Sequence, residues 1–257
     1  MTYNIKHAFK RLFVRYKLYP NFQNIYWTFS SLLKKDEVRQ EDMLIFYSRF
    51  INKGDLCFDI GANRGDKTAV FLKIGAKVVA VEPQESCVNY LKKRFKGESN
   101  FTIVEKGLAD KEGEIAMSIC EEANSISTLS EKWKTGRFSK YEWTKNKLIP
   151  VTTMDNLIKE FGLPVFCKID VEGFEHQVLK GLSQPIKYLS FEFTKEFFND
   201  AKACIDYLNA LEYTKFNCSI DEAASLRFPM WLTAENLLEK LSSVKDDLLW
   251  GDIYAKH

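Results

Sequence analysis

The sequence predicts an α/β fold: a mostly parallel sheet built from βαβ units and preceded by a helical extension. Three observations carry that expectation. From residue 55 onwards, short apolar runs alternate with stretches of helical periodicity, the pattern of parallel strands joined by crossover helices. The run 55–60 ends in Gly61-Ala62-Asn63-Arg64-Gly65, a glycine turn at the carboxyl end of a strand, where open α/β sheets hold ligands. A second buried run, 165–170, carries acids at its carboxyl end, Asp170 and then Glu172.

Taken in order, residues 1–50 read as helical, with Phe9, Leu12, Phe13 and Tyr16 on one face and a break at Pro20. Strand 55–60, helix 66–74, strand 77–82, helix 84–95 and strand 101–105 come next. Then the rhythm changes. Asp110-Lys111-Glu112-Gly113 is a turn, and 114–119 alternates like an antiparallel strand of an inserted hairpin. The polar stretch 121–147 reads as a mobile loop over the sheet, and 148–152 as another short strand. Thr153 caps a helix that runs through Glu160 and stops at Gly162 before Pro164. Strand 165–170, helix 174–181, strand 186–193 and helix 199–212 restore the α/β rhythm, and strands near 213–218 and 248–255 close it. This gives an extension, 1–50, and one domain, 51–257.

A chain of 257 residues, 46% hydrophobic and 28% charged, is ordinary for a globular protein and large enough for a substantial core. Its net charge of +2 argues against nucleic acid as an obligatory partner. The charge is uneven: residues 1–35 carry seven Lys/Arg, no acid, and a run of aromatics from Phe9 to Phe29. That composition suits a packed helix with solvated charges, a lid, or contact with an anionic membrane surface. No run approaches the ~18 apolar residues of a membrane span, so a cytoplasmic, at most membrane-peripheral, protein is expected. The six cysteines (57, 87, 120, 167, 204, 218) show no Cys-x-x-Cys and no His at metal-ligand spacing, and are expected to be reduced thiols. The acids after the later strands could coordinate a divalent cation, but no spacing compels it, and no metal site is expected.

The glycine turn differs from a dinucleotide site. A pyrophosphate needs Gly-x-Gly-x-x-Gly; here Asn63 replaces the second glycine, and Asp59 before the turn would repel phosphate and attract an ammonium group. Glu82, ending the next strand, lies at the spacing of about 20 residues at which an acid takes ribose hydroxyls. A ligand with an amino-acid end and a ribose but no phosphate fits, and S-adenosylmethionine is such a molecule. A nicotinamide dehydrogenase and a non-catalytic S-adenosylmethionine-binding protein are the alternatives.

Over roughly residues 40–257 the sequence resembles the FkbM-type S-adenosylmethionine-dependent methyltransferases. The likeness rests on Asp59-Ile60-Gly61-Ala62-Asn63-Arg64-Gly65 with Thr68, on Val81-Glu82-Pro83, and on Gly107-Leu108-Ala109-Asp110 with Gly113. It continues through Ser127-Thr128-Leu129, Thr152-Thr153-Met154-Asp155, Lys168-Ile169-Asp170-Val171-Glu172-Gly173-Phe174-Glu175, Leu179, Gly181 and Glu192. One departure stands out: the family often carries Glu-x-His here, and this chain has Glu192-Phe193-Thr194. The resemblance implies a Rossmann-like class I methyltransferase fold: a seven-stranded, mostly parallel sheet with its last strand antiparallel and helices on both faces. It implies that Glu82, beside Pro83, holds the ribose, that Gly61, Asn63 and Gly65 wrap the methionine end near Asp59 and Thr68, and that Gly107, Leu108 and Asp110 border the adenine. It also implies O-methylation of a saccharide, glycan or other small hydroxylated metabolite.

A sugar or alcohol hydroxyl is too weakly acidic to attack a methyl unaided, so a positioned base is expected. The candidates share one sheet edge: Asp170 and Glu172 first, then Glu192, then His176, one turn into the next helix. A Lys168–Asp170 ion pair is the plainer use of Asp170, since alternation puts both on one strand face.

Overall fold

The computed structural model describes residues 35–119, 130 and 145–257. The chain divides into two compact units, 1–43 and 44–257. The aromatic helical face expected before Pro20, the basic segment's contacts and most of the loop expected at 121–147 lie outside the described residues. Helix α1 (Lys35–Tyr47) crosses the boundary between the units, and the second unit holds both sheets.

Its strands are β1 (Leu56–Ile60), β2 (Lys77–Val81), β3 (Phe101–Val104), β4 (Gly107–Leu108), β5 (Gly113–Ile119), β6 (Lys145–Thr152), β7 (Phe166–Ile169), β8 (Tyr188–Thr194), β9 (Lys215–Ile220) and β10 (Trp250–Lys256). The helices after α1 are α2 (Asp66–Ile74), α3 (Glu85–Arg94), α4 (Met154–Phe161), α5 (Glu175–Lys180), α6 (Phe198–Ala210) and α7 (Ala234–Ser242). The main sheet has seven strands in the order β3-β2-β1-β7-β8-β10-β9. β10 runs antiparallel to both its neighbours, while the β1, β2, β3, β7 and β8 pairings are parallel. This is the class I methyltransferase sheet.

Strand alternation divides the core. Cys167, Ile169, Leu189, Phe191 and Phe193 turn to one face and join Val178, Leu179, Ile205 and Leu208 of the α5–α6 layer. The opposite face carries an aromatic cluster in which Phe46, Tyr47, Phe50, Phe71, Phe166 and Tyr254 meet, for example Tyr47–Phe71 at 5.0 Å and Phe50–Tyr254 at 5.5 Å between centroids. Rings paired edge-on or offset contribute about 0.5–1.5 kcal/mol each beyond their burial. Cys57, Cys87, Cys167, Cys204 and Cys218 are buried and unbridged, filling core space as expected.

Local signals explain the ends of elements. Thr153 accepts the Asn156 N–H at 3.1 Å and caps α4, which stops at Gly162. Gly75, left-handed at φ 94°, ends α2 with its N–H on Leu72 and the Ala76 N–H on Phe71, a Schellman closure.

The structure corrects three expectations. The antiparallel partner of β5 is β6, which begins at Lys145 rather than Leu148, so residues 120–144 span the hairpin. The turn at Asp110–Gly113 instead separates β5 from β4, which pairs in parallel with β6 and completes a small second sheet, β4-β6-β5. Two residues of β4 are too few to show alternation. Helix α7 has no counterpart among the expected elements; Thr233 caps it through the Asn236 N–H at 3.3 Å, and Leu237 and Leu241 face the core.

Candidate active site

The cleft opens at the carboxyl ends of β1, β2 and β7, with β4 and Met117 of β5 closing one side. Gly61, Asn63, Glu82, Pro83, Asp170 and Glu172 are among its walls.

Its first end is built by the β1–α2 turn. Gly61, Asn63 and Gly65 all have positive φ, at 78°, 49° and 76°. Gly61 has a second reason to lack a side chain: a Cβ there would stand 1.8 Å from the Asp170 carbonyl oxygen. A Cβ at Gly65 would meet Leu91 and Phe95 of the α3 layer at 2.6 Å, so this glycine serves packing and is not part of the cleft wall. The turn is tied to β2, because Gly61 and Ala62 both donate to the Val81 carbonyl. The Glu82 carboxylate, 2% exposed, accepts the Asn63 N–H on one oxygen and the Gln84 N–H on the other, each at 2.8 Å. Burial pushes its pKa up to about 7, against the pull of these two N–H groups. Asp59 lies behind the cleft, buried and accepting a 2.5 Å hydrogen bond from Thr68; burial raises its pKa too, and the Thr68 bond opposes the rise. Gly107 and Leu108 line the cleft, whereas Asp110 is outside it, 3.9 Å from Lys180.

The second end is acidic. Asp170, Glu172 and Glu192 each bring one carboxylate oxygen within 4.8 Å of the others. Lys168, 1% exposed, pairs with Asp170 at 3.1 Å and Asp252 of β10 at 2.9 Å. Burial works against its charge, but these two acids outweigh it and hold its pKa well above the ordinary value. Glu192 is driven well above the usual carboxylate range by burial first, then by Asp170, Glu172 and Glu175. Glu172 itself has φ 54°, a left-handed backbone uncommon outside glycine. Glu175, which sequence reasoning leaves without a role, holds that loop: one of its oxygens accepts the Val171 and Gly173 N–H groups at 3.1 and 3.2 Å. Burial raises its pKa to about 7. Its place in the 170–175 acid run is the available signal. Asp252 carries none, since nothing in the sequence shows that β10 inserts beside β8. His176, on α5, has its ring 6.4 Å from that of Tyr207 and is not part of the acid trio.

The nicotinamide alternative fails at the first end. The N–H group that a pyrophosphate would use, on Asn63, is engaged by a carboxylate.

Comparisons with known proteins place the chain among its relatives. A curated rRNA adenine N-6-methyltransferase of Bacteroides fragilis is 34% identical over 88 residues, which is 34% of this chain and 30% of that protein. The chain thus matches less than a third of its relative's length. Among solved structures, precorrin-6y C5,15-methyltransferase of Geobacter metallireducens is similar at 12% identity and TM-score 0.45, covering 87% of this chain and 89% of that one. A Streptococcus mutans protein solved in complex with S-adenosylhomocysteine is similar at 12% identity and TM-score 0.39, covering 83% and 95%. The methyltransferase FkbM domain matches residues 59–215, more than half of the sequence. The chain therefore belongs to the FkbM methyltransferase family.

Proposed function

We propose that the protein O-methylates a hydroxyl of a saccharide, glycan or related small metabolite at the acidic end of the cleft. The observation that carries this reading is the meeting of Asp170, Glu172 and Glu192 within 4.8 Å, with Asp170 and Glu172 in the same cleft as Glu82. When bound, S-adenosylmethionine supplies an electrophilic methyl group on a good leaving group.

The residues present suit that cofactor. Each Glu82 oxygen accepts one N–H and keeps room for a second donor, which is what two neighbouring ribose hydroxyls require. Gly61 and Asn63 border the methionine end, Pro83, Gly107 and Leu108 the base, and Asp59 with Thr68 stiffens β1 from behind while lending negative charge toward an ammonium group. At the other end an ionised Asp170 or Glu172, with Glu192 behind them, takes the hydroxyl proton as the acceptor oxygen forms its bond to the methyl carbon. Positioned bases contribute typically about 10²–10⁴-fold. A nucleic-acid acceptor, the substrate named for the Bacteroides fragilis relative, suits this wall less well, because crowded carboxylates repel a phosphate backbone.

The test has two parts. Calorimetric titration is expected to show micromolar binding of S-adenosylhomocysteine and none of NAD. Turnover is then sought by mass spectrometry on saccharides, lipid-linked glycans and hydroxylated metabolites, with RNA as the competing acceptor. Asp170→Asn or Glu172→Gln should slow transfer by about 10²-fold or more with little change in cofactor affinity. Methylation of RNA alone would overturn the hydroxyl acceptor. No turnover on any acceptor, with cofactor binding intact, would favour a non-catalytic binding protein.

A further inference from the structure

We infer that Asp170, Glu172 and Glu192 hold a hard divalent cation, of the size of Mn²⁺ or Ca²⁺, in the wall of the cleft. The inference rests on the proposed reading only for its purpose, to fix an acceptor oxygen; the binding stands on geometry alone.

All three groups offer carboxylate oxygens, the ligands that Mg²⁺, Mn²⁺ and Ca²⁺ take. Opposite ligands of one ion stand about two bond lengths apart, about 4.2 Å for Mg²⁺ and about 4.6–5.2 Å for Ca²⁺. The three oxygens lie within 4.8 Å of one another, close enough for one such ion to bridge them.

An acid cluster alone would be unremarkable, but β8 adds an independent feature. Alternation turns Ser190, Glu192 and Thr194 to the face of the sheet that also carries Lys168 and Asp170. Ser190 and Thr194 are 0% and 6% exposed, and neither hydroxyl has a hydrogen-bond partner among the described residues. Buried hydroxyls are nearly always satisfied, and an orphan calls for an unseen water or ion. Continuing the Ile169↔Phe191 register by one step sets Asp170 beside Glu192. Thr194, two residues further along β8, lines a small pocket together with Glu192, and its hydroxyl would be the fourth oxygen of the site. At this position the Glu-x-His pattern would have put an imidazole, a softer ligand; the threonine keeps the set all-oxygen.

The chemistry is consistent with a cation. A dication would offset the repulsion among three carboxylates brought this close together. Lys168 cannot substitute, because it is held between Asp170 and Asp252. With the cation in place, an acceptor hydroxyl coordinated beside Asp170 or Glu172 would lose its proton more easily to the carboxylate oxygen not used in coordination.

The experiment titrates Mn²⁺ alone into the full chain, followed by electron paramagnetic resonance and calorimetry, with Ca²⁺ as competitor and no cofactor present. One site is expected, with a dissociation constant of about 10⁻⁵–10⁻⁴ M, displaced by Ca²⁺. Glu192→Gln should weaken it at least tenfold and Thr194→Val about threefold, each variant first shown by thermal melting to be folded. Absence of saturable Mn²⁺ binding overturns the inference, and so does binding that survives in Glu192→Gln, which would place the ion elsewhere. S-adenosylhomocysteine binding in the presence of a chelator is measured in parallel. If it persists while Mn²⁺ fails to bind, only the cation falls; if it is lost too, the proposed function falls with it.

Discussion

At the β1–β2 end of the cleft, a single carboxylate is anchored: each oxygen of Glu82 accepts one backbone N–H at 2.8 Å and keeps room for a second donor. At the β7–β8 end, three carboxylates crowd within 4.8 Å around one buried lysine, and two hydroxyls of the same strand face have no partner. The first arrangement is held in place by the backbone, so it can take a ligand with little reorganisation. The second crowds like charges and gains from a group that offsets them. If the proposed function holds, that division would place binding energy where the chemistry occurs.

The largest expected effect tests whether the two ends are mechanically one. Gly61→Ala puts a Cβ 1.8 Å from the Asp170 carbonyl at a left-handed backbone, so either β1 or the β7 loop must move. A loss of about 3 kcal/mol or more in stability, with S-adenosylhomocysteine binding abolished, is the expected result of denaturation and titration. Near-parental behaviour would mean that the ends move independently.

Glu82→Ala probes the engaged end by itself. It should weaken S-adenosylhomocysteine binding by roughly 1.5–3 kcal/mol, the usual worth of charge-assisted hydrogen bonds, while leaving the fold intact. Because ribose hydroxyls favour the ionised carboxylate and its pKa in the empty protein is about 7, affinity should fall as pH drops through 7. The loss should be about tenfold between pH 8 and pH 6 and absent in the variant. Unchanged affinity in Glu82→Ala removes Glu82 from the ribose site.

Glu192→Gln probes the crowded end. A carboxyl whose folded pKa lies above its ordinary value of 4.5 keeps its proton longer when folded than when unfolded. Stability therefore falls as pH rises from about 4.5 toward the raised value, by up to about 1.4 kcal/mol per pH unit. The variant should show a shallower decline between pH 5 and 8. Parallel curves would mean that Glu192 titrates normally. Thr153→Ala is the smallest effect and the control: losing the α4 cap costs about 1 kcal/mol and should leave cofactor affinity alone, separating stability from site chemistry.

The two ends also differ in how far the sequence exposed them. Strand–turn–helix–strand from β1 to β2 is contiguous, so Gly61, Asn63 and Glu82 could be placed from their spacing. The acidic end assembles elements that are distant in sequence. That Asp170 and Glu192 lie on adjacent strands was readable, because β7 and β8 are joined by one crossover helix. That Asp252 joins them was not, since strand order depends on which gap β10 fills. Asp110 carries the opposite lesson: its motif pointed to the cleft, but its side chain lies near Lys180 outside it. Gly65 of the turn and Thr68 of the following helix support the cleft residues from behind, a distinction that needs depth as well as spacing.

The position of β10 has a consequence for synthesis. Chains emerge from their N-terminal side, so β8 and β9 are made before the strand that must lie between them. Until β10 arrives, two neighbouring strands present unpaired edges, the kind of surface that recruits other chains, and Lys168 lacks Asp252. The acidic corner therefore cannot mature on a partly made protein. A ribosome stalled before residue 250 would display a finished cofactor seat beside an open sheet, which makes that interval the one in which a chaperone matters most.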